Sequence, residues 1–202
     1  MNFQIREETP AALPEYAHIP ISFEVLSIFD VQLADQGLSG IVLSERKLDS
    51  PYMKDYDAIV GNYDAIANNG PADWAKRWDL SRWGVLTAST GGERIGGCVI
   101  VLGTEGVLKH EGRKDDAVLW DLRVHPDYRG QGVGSRLFDA AVAWARERGC
   151  RCLKIETQNT NVPACRFYAK QGCVLVTINR VAYDMFPDEV ELVWCKEIGS
   201  RE

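Results

Sequence analysis

Residues 118–149 read VLWDLRVHPDYRGQGVGSRLFDAAVAWARERG, and the parsing of this stretch decides the fold. Val118, Trp120, Leu122 and Val124 alternate with the two-residue period of a strand that buries one face. Pro126, in His125-Pro126-Asp127, ends that strand because proline has no amide hydrogen to give to a ladder. Arg129-Gly130-Gln131-Gly132-Val133-Gly134 follows, with glycine at every second position. From Val133 the apolar residues Leu137, Phe138, Ala141, Trp144 and Ala145 recur at helical spacing, and Gly149 ends the run. The stretch is a strand, a glycine-rich turn and a helix.

Glycines at a helix start let backbone amides approach a ligand that a Cβ would hold away. The unpaired first-turn amides and the positive end of the helix dipole then make an anion site, with Arg129 at its rim. A pyrophosphate is the natural occupant; the plain alternative is a glycine-softened loop before a core helix. The Walker pattern is absent. The dinucleotide fingerprint fails too, because Ser135 stands where its third glycine belongs and no acidic residue follows at the ribose-binding distance.

Working outward, 202 residues suit one domain, and 46% hydrophobic with 26% charged residues is ordinary for a chain that buries a core. A net charge of −6 argues against nucleic acid and suits a cationic small-molecule substrate. No apolar run is long enough to span a bilayer and the start is polar, so the expectation is a cytoplasmic protein with no membrane partner. The cysteines (Cys98, Cys150, Cys152, Cys165, Cys173, Cys195) form no CxxC pair, and His18, His110 and His125 fall at no ligand spacing with them. Reduced core thiols, no metal and no structural disulfide are predicted.

Residues 1–19 read as irregular, broken by Pro10, Pro14 and Pro20. Residues 21–33 and 41–48 read as strands of a hairpin turned by Gly37 and Gly40. In residues 50–83 a helix is predicted from Asp55 or Asp57 towards Asn69, and a short one over 72–79. This region gathers Trp74, Trp78, Trp83, Tyr52, Tyr56 and Tyr63, with Tyr16 upstream. The aromatics either pack on the sheet or form a wall for a cationic substrate. Strands over 84–88 and 94–102 meet at Gly91-Gly92, and a charged loop covers 103–116. Residues 152–157 form a strand parallel to the first. A short helix over 161–170 and an antiparallel pair, 173–182 with 190–195, complete the chain.

Two motifs in this order resemble the GCN5-related N-acetyltransferase (GNAT) superfamily. One is RGQGVG after LWDLRV, matching Arg/Gln-x-x-Gly-x-Gly/Ala. The other is ETQNTNVPACRFYAKQGC, residues 156–173. This segment, Tyr183-Asp184 and SPYMKDYD at residues 50–57 resemble the streptothricin acetyltransferases in particular. The resemblance implies an α/β fold with a six- to seven-stranded mixed, mostly antiparallel sheet, splayed between two central parallel strands and flanked by helices on both faces. It implies a single domain over 1–202, with an acetyl-CoA core about 84–182 and a variable substrate side about 50–83.

By the same resemblance, acetyl-CoA is the co-substrate. Backbone groups of Leu122 and Val124 pair with its pantetheine arm, and the amides of Arg129, Gly130, Gln131, Gly132, Val133, Gly134 and Ser135 hold its pyrophosphate. Asn161, Ala164 and Phe167 contact it from the second motif, and Tyr168 stands at the general-acid position. Tyr52, Tyr56, Asp57 and Tyr183 are the substrate-side candidates. The chain departs from the pattern at Trp120, where many relatives carry glutamate. Strand alternation points Asp121 to the face opposite Trp120, unless a bulge re-aims it. Glu156 is the other candidate base, and a water chain is a third. The implied activity is acetyl transfer to a primary amine of a small molecule, such as a streptothricin-like antibiotic, by a monomer or homodimer. The alternatives are a polyamine, amino-acid derivative or protein amine as acceptor, or a CoA-binding regulator without turnover.

Overall fold

The computed structural model describes residues 2–58, 70–105, 107, 113 and 115–199. In chain order the elements are β1 (Gln4–Glu8), α1 (Leu13–Tyr16), β2 (Phe23–Leu33), β3 (Ile41–Lys54), β4 (Trp83–Thr90), β5 (Glu93–Leu102), β6 (Asp116–Val124), α2 (Val133–Glu147), β7 (Cys152–Gln158), α3 (Val162–Lys170), β8 (Val174–Asn179) and β9 (Glu191–Glu197). They fall into two compact units. One holds Met1–Ile21, Asp55–Ile155 and Lys196–Glu202; the other holds Ser22–Lys54 and Glu156–Cys195.

In the first unit β1, β4, β5 and β6 lie side by side in that order, each antiparallel to the next. β6 then runs parallel to the start of β7, in register from Asp116↔Cys152 to Leu119↔Ile155. α2 covers one face with Leu137, Phe138, Ala141, Trp144 and Ala145 buried. Gly84 makes room for it: a Cβ there would sit 2.5 Å from the Trp144 ring. The other face carries α1 and the 3-10 turn Pro71–Lys76, where Leu13, Tyr16, Ile19, Trp74 and Trp83 form a core with Val99, Val101 and Val118.

Three expectations need correcting here. The N-terminus is not irregular: Gln4–Glu8 pairs with β4 from Gln4↔Ser89 to Glu8↔Val85. A polar edge strand shows little apolar alternation, so only its ladder reveals it. Pro10 and Pro14 break nothing, since each stands in the first turn of a helical segment, where a missing amide hydrogen costs no bond. The helix over 72–79 is a six-residue 3-10 turn. The helix predicted towards Asn69, Tyr63, His110 and half of the 103–116 loop lie outside the described residues.

In the second unit the end of β7, then β9, then β8 succeed one another, with β8 and β9 antiparallel from Val174↔Cys195 to Asn179↔Glu191. The β2–β3 hairpin is a separate two-stranded sheet with a bulge between Val25 and Ser27. Its second strand reaches Lys54, beyond the predicted end at Leu48, although Pro51 interrupts its donors. Proline is tolerated in a strand at such an edge. The buried side chain of Asn159 ties this unit together: its amide donates to Phe29 O at 3.0 Å and its Oδ1 accepts from Val190 N at 2.9 Å. The fold is α/β, with a seven-stranded, mostly antiparallel mixed sheet that holds the parallel pair β6–β7.

Cys98, Cys150, Cys165 and Cys173 are buried and form no disulfide. Burial pushes the Cys98 thiol far up and the Cys165 thiol to about 11. Cys152 and Cys195 are each disulfide-bonded, against the expectation of no structural disulfide.

Candidate active site

The loop between β6 and α2 is built from its glycines. Pro126–Tyr128 form a 3-10 turn at the strand end, and Gly130 and Gly132 then take φ of +74° and +84°. Those left-handed angles suit glycine and would strain any residue with a Cβ. A Cβ at Gly130 or Gly132 would meet nothing within 4 Å, so both open onto free space. Gly132 is the N-cap of α2 and no side chain caps it, leaving the first-turn amides of Val133, Gly134 and Ser135 directed along the helix axis. Arg129 turns back, its Nε donating to Val124 O at 3.0 Å, and Gln131 Nε2 donates to Asp127 O at 2.9 Å. Burial draws the Arg129 guanidinium below its usual range. A helix start of this kind presents unpaired backbone amides. Leu122 and Val124 lie on β6 past the end of its register with β7.

A bulge in β6 decides where Asp121 points. Val99 pairs with Asp121 and Ile100 with Leu119, so Trp120 is the extra residue. Trp120 and Asp121 therefore share the α1 face, and the opposite placement expected from strict alternation is corrected. Trp120 packs into a cluster with Trp74, Trp78 and Trp83, ring centroids 5.0–6.3 Å apart. Trp74 and Trp83 are buried there, so these aromatics mainly pack on one another. Asp121 accepts from Arg123 through Nε at 2.9 Å and Nη2 at 2.6 Å, and from the Tyr16 hydroxyl. Arg123 also donates to Asp57, from Nη1 at 2.8 Å and Nη2 at 3.2 Å, and to Ile19 O at 3.1 Å. Burial works against the Arg123 charge, yet Asp121 and Asp57 outweigh it and hold the guanidinium above its usual range. Burial, then the Asp121 charge, pushes the Tyr16 hydroxyl well up.

In the second unit the structure brings Glu156 and Tyr183 together. The Tyr183 hydroxyl donates to Glu156 Oε1 and accepts from Gln158 Nε2 at 2.9 Å. Asn161 caps α3, its Oδ1 accepting from Ala164 N at 3.2 Å, and Pro163 suits the first turn. Tyr168 is buried near the end of that helix, its ring 5.1 Å from that of Phe167. Tyr52 lies on β3 opposite Val25 and is half exposed; burial, then the Glu189 charge, raises its pKa. Tyr56 follows β3 and is partly exposed. The candidate bases Asp121 and Glu156 fall in different units.

Arg123, Tyr16, Gln158 and the buried Lys54–Glu189 ion pair were not legible as site residues. Asp121 and Arg123 do carry one signal, since an acid and a base two apart on a strand share a face. Lys54 and Glu189 carry none. Among the described residues no group of His, Cys, Asp or Glu could hold a metal ion, and no helix is long and apolar enough to cross a membrane.

Residues 50–173 match the model of the Acetyltransferase (GNAT) family, and the chain belongs to that family. It is 30% identical over 183 residues to a streptothricin acetyltransferase of Escherichia coli, a match covering 89% of this chain and 88% of that one. Streptothricin acetyltransferase A of Bacillus subtilis is 38% identical over 80 residues, 39% of this chain but only 46% of the relative. Among solved structures, a Bacillus anthracis protein assigned as a streptothricin acetyltransferase, in complex with acetyl coenzyme A, has a TM-score of 0.72 at 27% identity, covering 97% of this chain and 99% of that one. A nourseothricin acetyltransferase has a TM-score of 0.74 at 23% identity over 98% of this chain and 100% of that one, and shares the fold.

Proposed function

We propose that this chain transfers the acetyl group of acetyl-CoA to a primary amine of a small molecule, a streptothricin-like antibiotic being the leading acceptor. The observation that carries this reading is the 30% identity to a streptothricin acetyltransferase along 89% of the chain. The open helix start at Gly130 and Gly132 supports the cofactor half of it, because amides there suit a pyrophosphate.

In this reading the amides of residues 129–135 take the CoA pyrophosphate, and backbone groups of Leu122 and Val124 take the pantetheine. Asn161, Ala164 and Phe167 add contacts from the second motif. The amine nitrogen attacks the thioester carbonyl carbon, the C–S bond breaks, and Tyr168 protonates the departing thiolate. Glu156 takes the proton shed by the new amide nitrogen, directly or through a water. It is chosen over Asp121 because both Asp121 oxygens already accept from Arg123 and Tyr16. Tyr183 steadies Glu156, and Tyr52, Tyr56 and Asp57 face the acceptor. Acetyl-CoA is a cytoplasmic metabolite, so the reaction belongs there, with the chain acting as a monomer or homodimer.

The test is thiol release from acetyl-CoA against streptothricin, polyamines, aminoglycosides and lysine-bearing peptides. Turnover confined to streptothricin supports the full reading. Turnover on another amine keeps the chemistry and replaces the acceptor, and cofactor binding without turnover favours a regulator. Tyr168→Phe should lower kcat by about 10²- to 10⁴-fold and leave acetyl-CoA affinity unchanged. An unaltered kcat would remove Tyr168 from the acid role.

A further inference from the structure

The buried cluster around Arg123 uses every hydrogen-bond donor its guanidinium has. Nε and Nη2 go to Asp121, Nη1 and Nη2 to Asp57, and Nη1 also to Ile19 O. A guanidinium has five N–H groups in a rigid planar fork, so its partners are fixed in one arrangement. Arg123 is 2% exposed and Asp121 is 9% exposed, but the Asp57 side chain keeps 31% of its surface. Asp57 is thus a carboxylate set against a buried arginine with one side open to solvent.

The charges in this cluster do not cancel. Two carboxylates face one guanidinium, and the Tyr16 hydroxyl, held neutral by burial and Asp121, adds no positive charge. Within this cluster Asp57 is the carboxylate with the more open side chain, 31% exposed against 6% for Asp121. The partly buried indoles Trp78 and Trp120 pack against the aromatic core that contains Tyr16, on the same sheet face. A carboxylate fixed by a buried arginine and open to water on one side suits an organic ammonium group.

We propose that Asp57 recognises an ammonium group of the acceptor and that Arg123 is the positioning residue that presents it, a role that rests on the acetyltransferase reading above. Arg123 touches no substrate. It acts by fixing the rotamer of Asp57, and Asp121 and Tyr16 fix Arg123 in turn. A purely structural brace would use the same bonds and leave acceptor affinity untouched.

Steady-state kinetics of the full chain with acetyl-CoA and streptothricin separate the two. Asp57→Asn keeps the shape and removes the charge; it should raise the acceptor KM about 10- to 100-fold, the range for losing one charge-assisted contact. The acetyl-CoA KM should stay within about twofold, because a pyrophosphate site elsewhere is untouched. Arg123→Lys keeps the charge but loses the fork, and should raise the acceptor KM in the same direction. If Arg123→Lys fails to fold, Asp57→Asn and Asp57→Glu decide: the first loses acceptor affinity and the second recovers part of it. An unchanged acceptor KM in Asp57→Asn with a lower melting temperature overturns the proposal in favour of a brace. No turnover by the unaltered chain on any amine, with acetyl-CoA bound, overturns the acetyltransferase reading and this proposal with it.

Discussion

Asp121 and Glu156 are both carboxylates near strand ends, yet their surroundings separate them. Asp121 is buried and accepts from Arg123 and Tyr16, whereas Glu156 is partly exposed and accepts from Tyr183. Asp121→Asn leaves a buried guanidinium with half its charge partners, and should cost roughly 2–4 kcal/mol in denaturant unfolding. Glu156→Gln should leave unfolding within about 0.5 kcal/mol and lower kcat/KM instead. A reversed result, with Asp121→Asn stable but inactive, would move the base to Asp121. Tyr16 supplies a pH signature. Its folded pKa is raised, so the stability it contributes is complete below its ordinary value near pH 10 and is lost as the pH climbs above it. Melting temperatures should therefore drop above about pH 10, and Tyr16→Phe should flatten that drop. An equally steep fall in Tyr16→Phe would assign it to another group.

Two elements carry most of the proposed cofactor chemistry. The loop into α2 depends on left-handed glycines, and a Cβ at Gly132 meets open space, so its cost is conformational. Gly132→Ala should destabilise by about 1–2 kcal/mol and raise the acetyl-CoA KM while sparing the acceptor KM. A raised acceptor KM with acetyl-CoA unaffected would take the pyrophosphate away from this loop. β6 carries the other feature. Its bulge at Trp120 puts an indole and a carboxylate on one face, where regular alternation would separate them. Trp120 is held in the tryptophan cluster with Trp74, Trp78 and Trp83. The position is filled by packing, and the acidic group one residue on is tied to an arginine.

At the scale of the whole molecule the cysteines give the plainest test. Four form no disulfide and two are disulfide-bonded, so the air-oxidised chain, denatured without reductant, should titrate four thiols. Six would mean that the bridge does not form. The strand–glycine turn–helix and the parallel β6–β7 pair were legible because each rests on local signals: a two-residue period, glycines at a helix start, and a crossover too long for a hairpin. β1 was not legible, because a polar edge strand is stabilised by a ladder partner at the far end of β4.

The sequence alone determined the family and the strand–glycine turn–helix order around α2, since glycine spacing, apolar period and motif order act over a few residues. Tertiary structure decided the rest. It showed that Asp121 shares a face with Trp120, that Arg123 spends all its donors on Asp121, Asp57 and Ile19, and that Tyr183 meets Glu156. It also showed which cysteines are bonded. Each of these depends on a register shift or on partners tens of residues apart, and neither composition nor spacing encodes which distant side chain a strand will bring alongside.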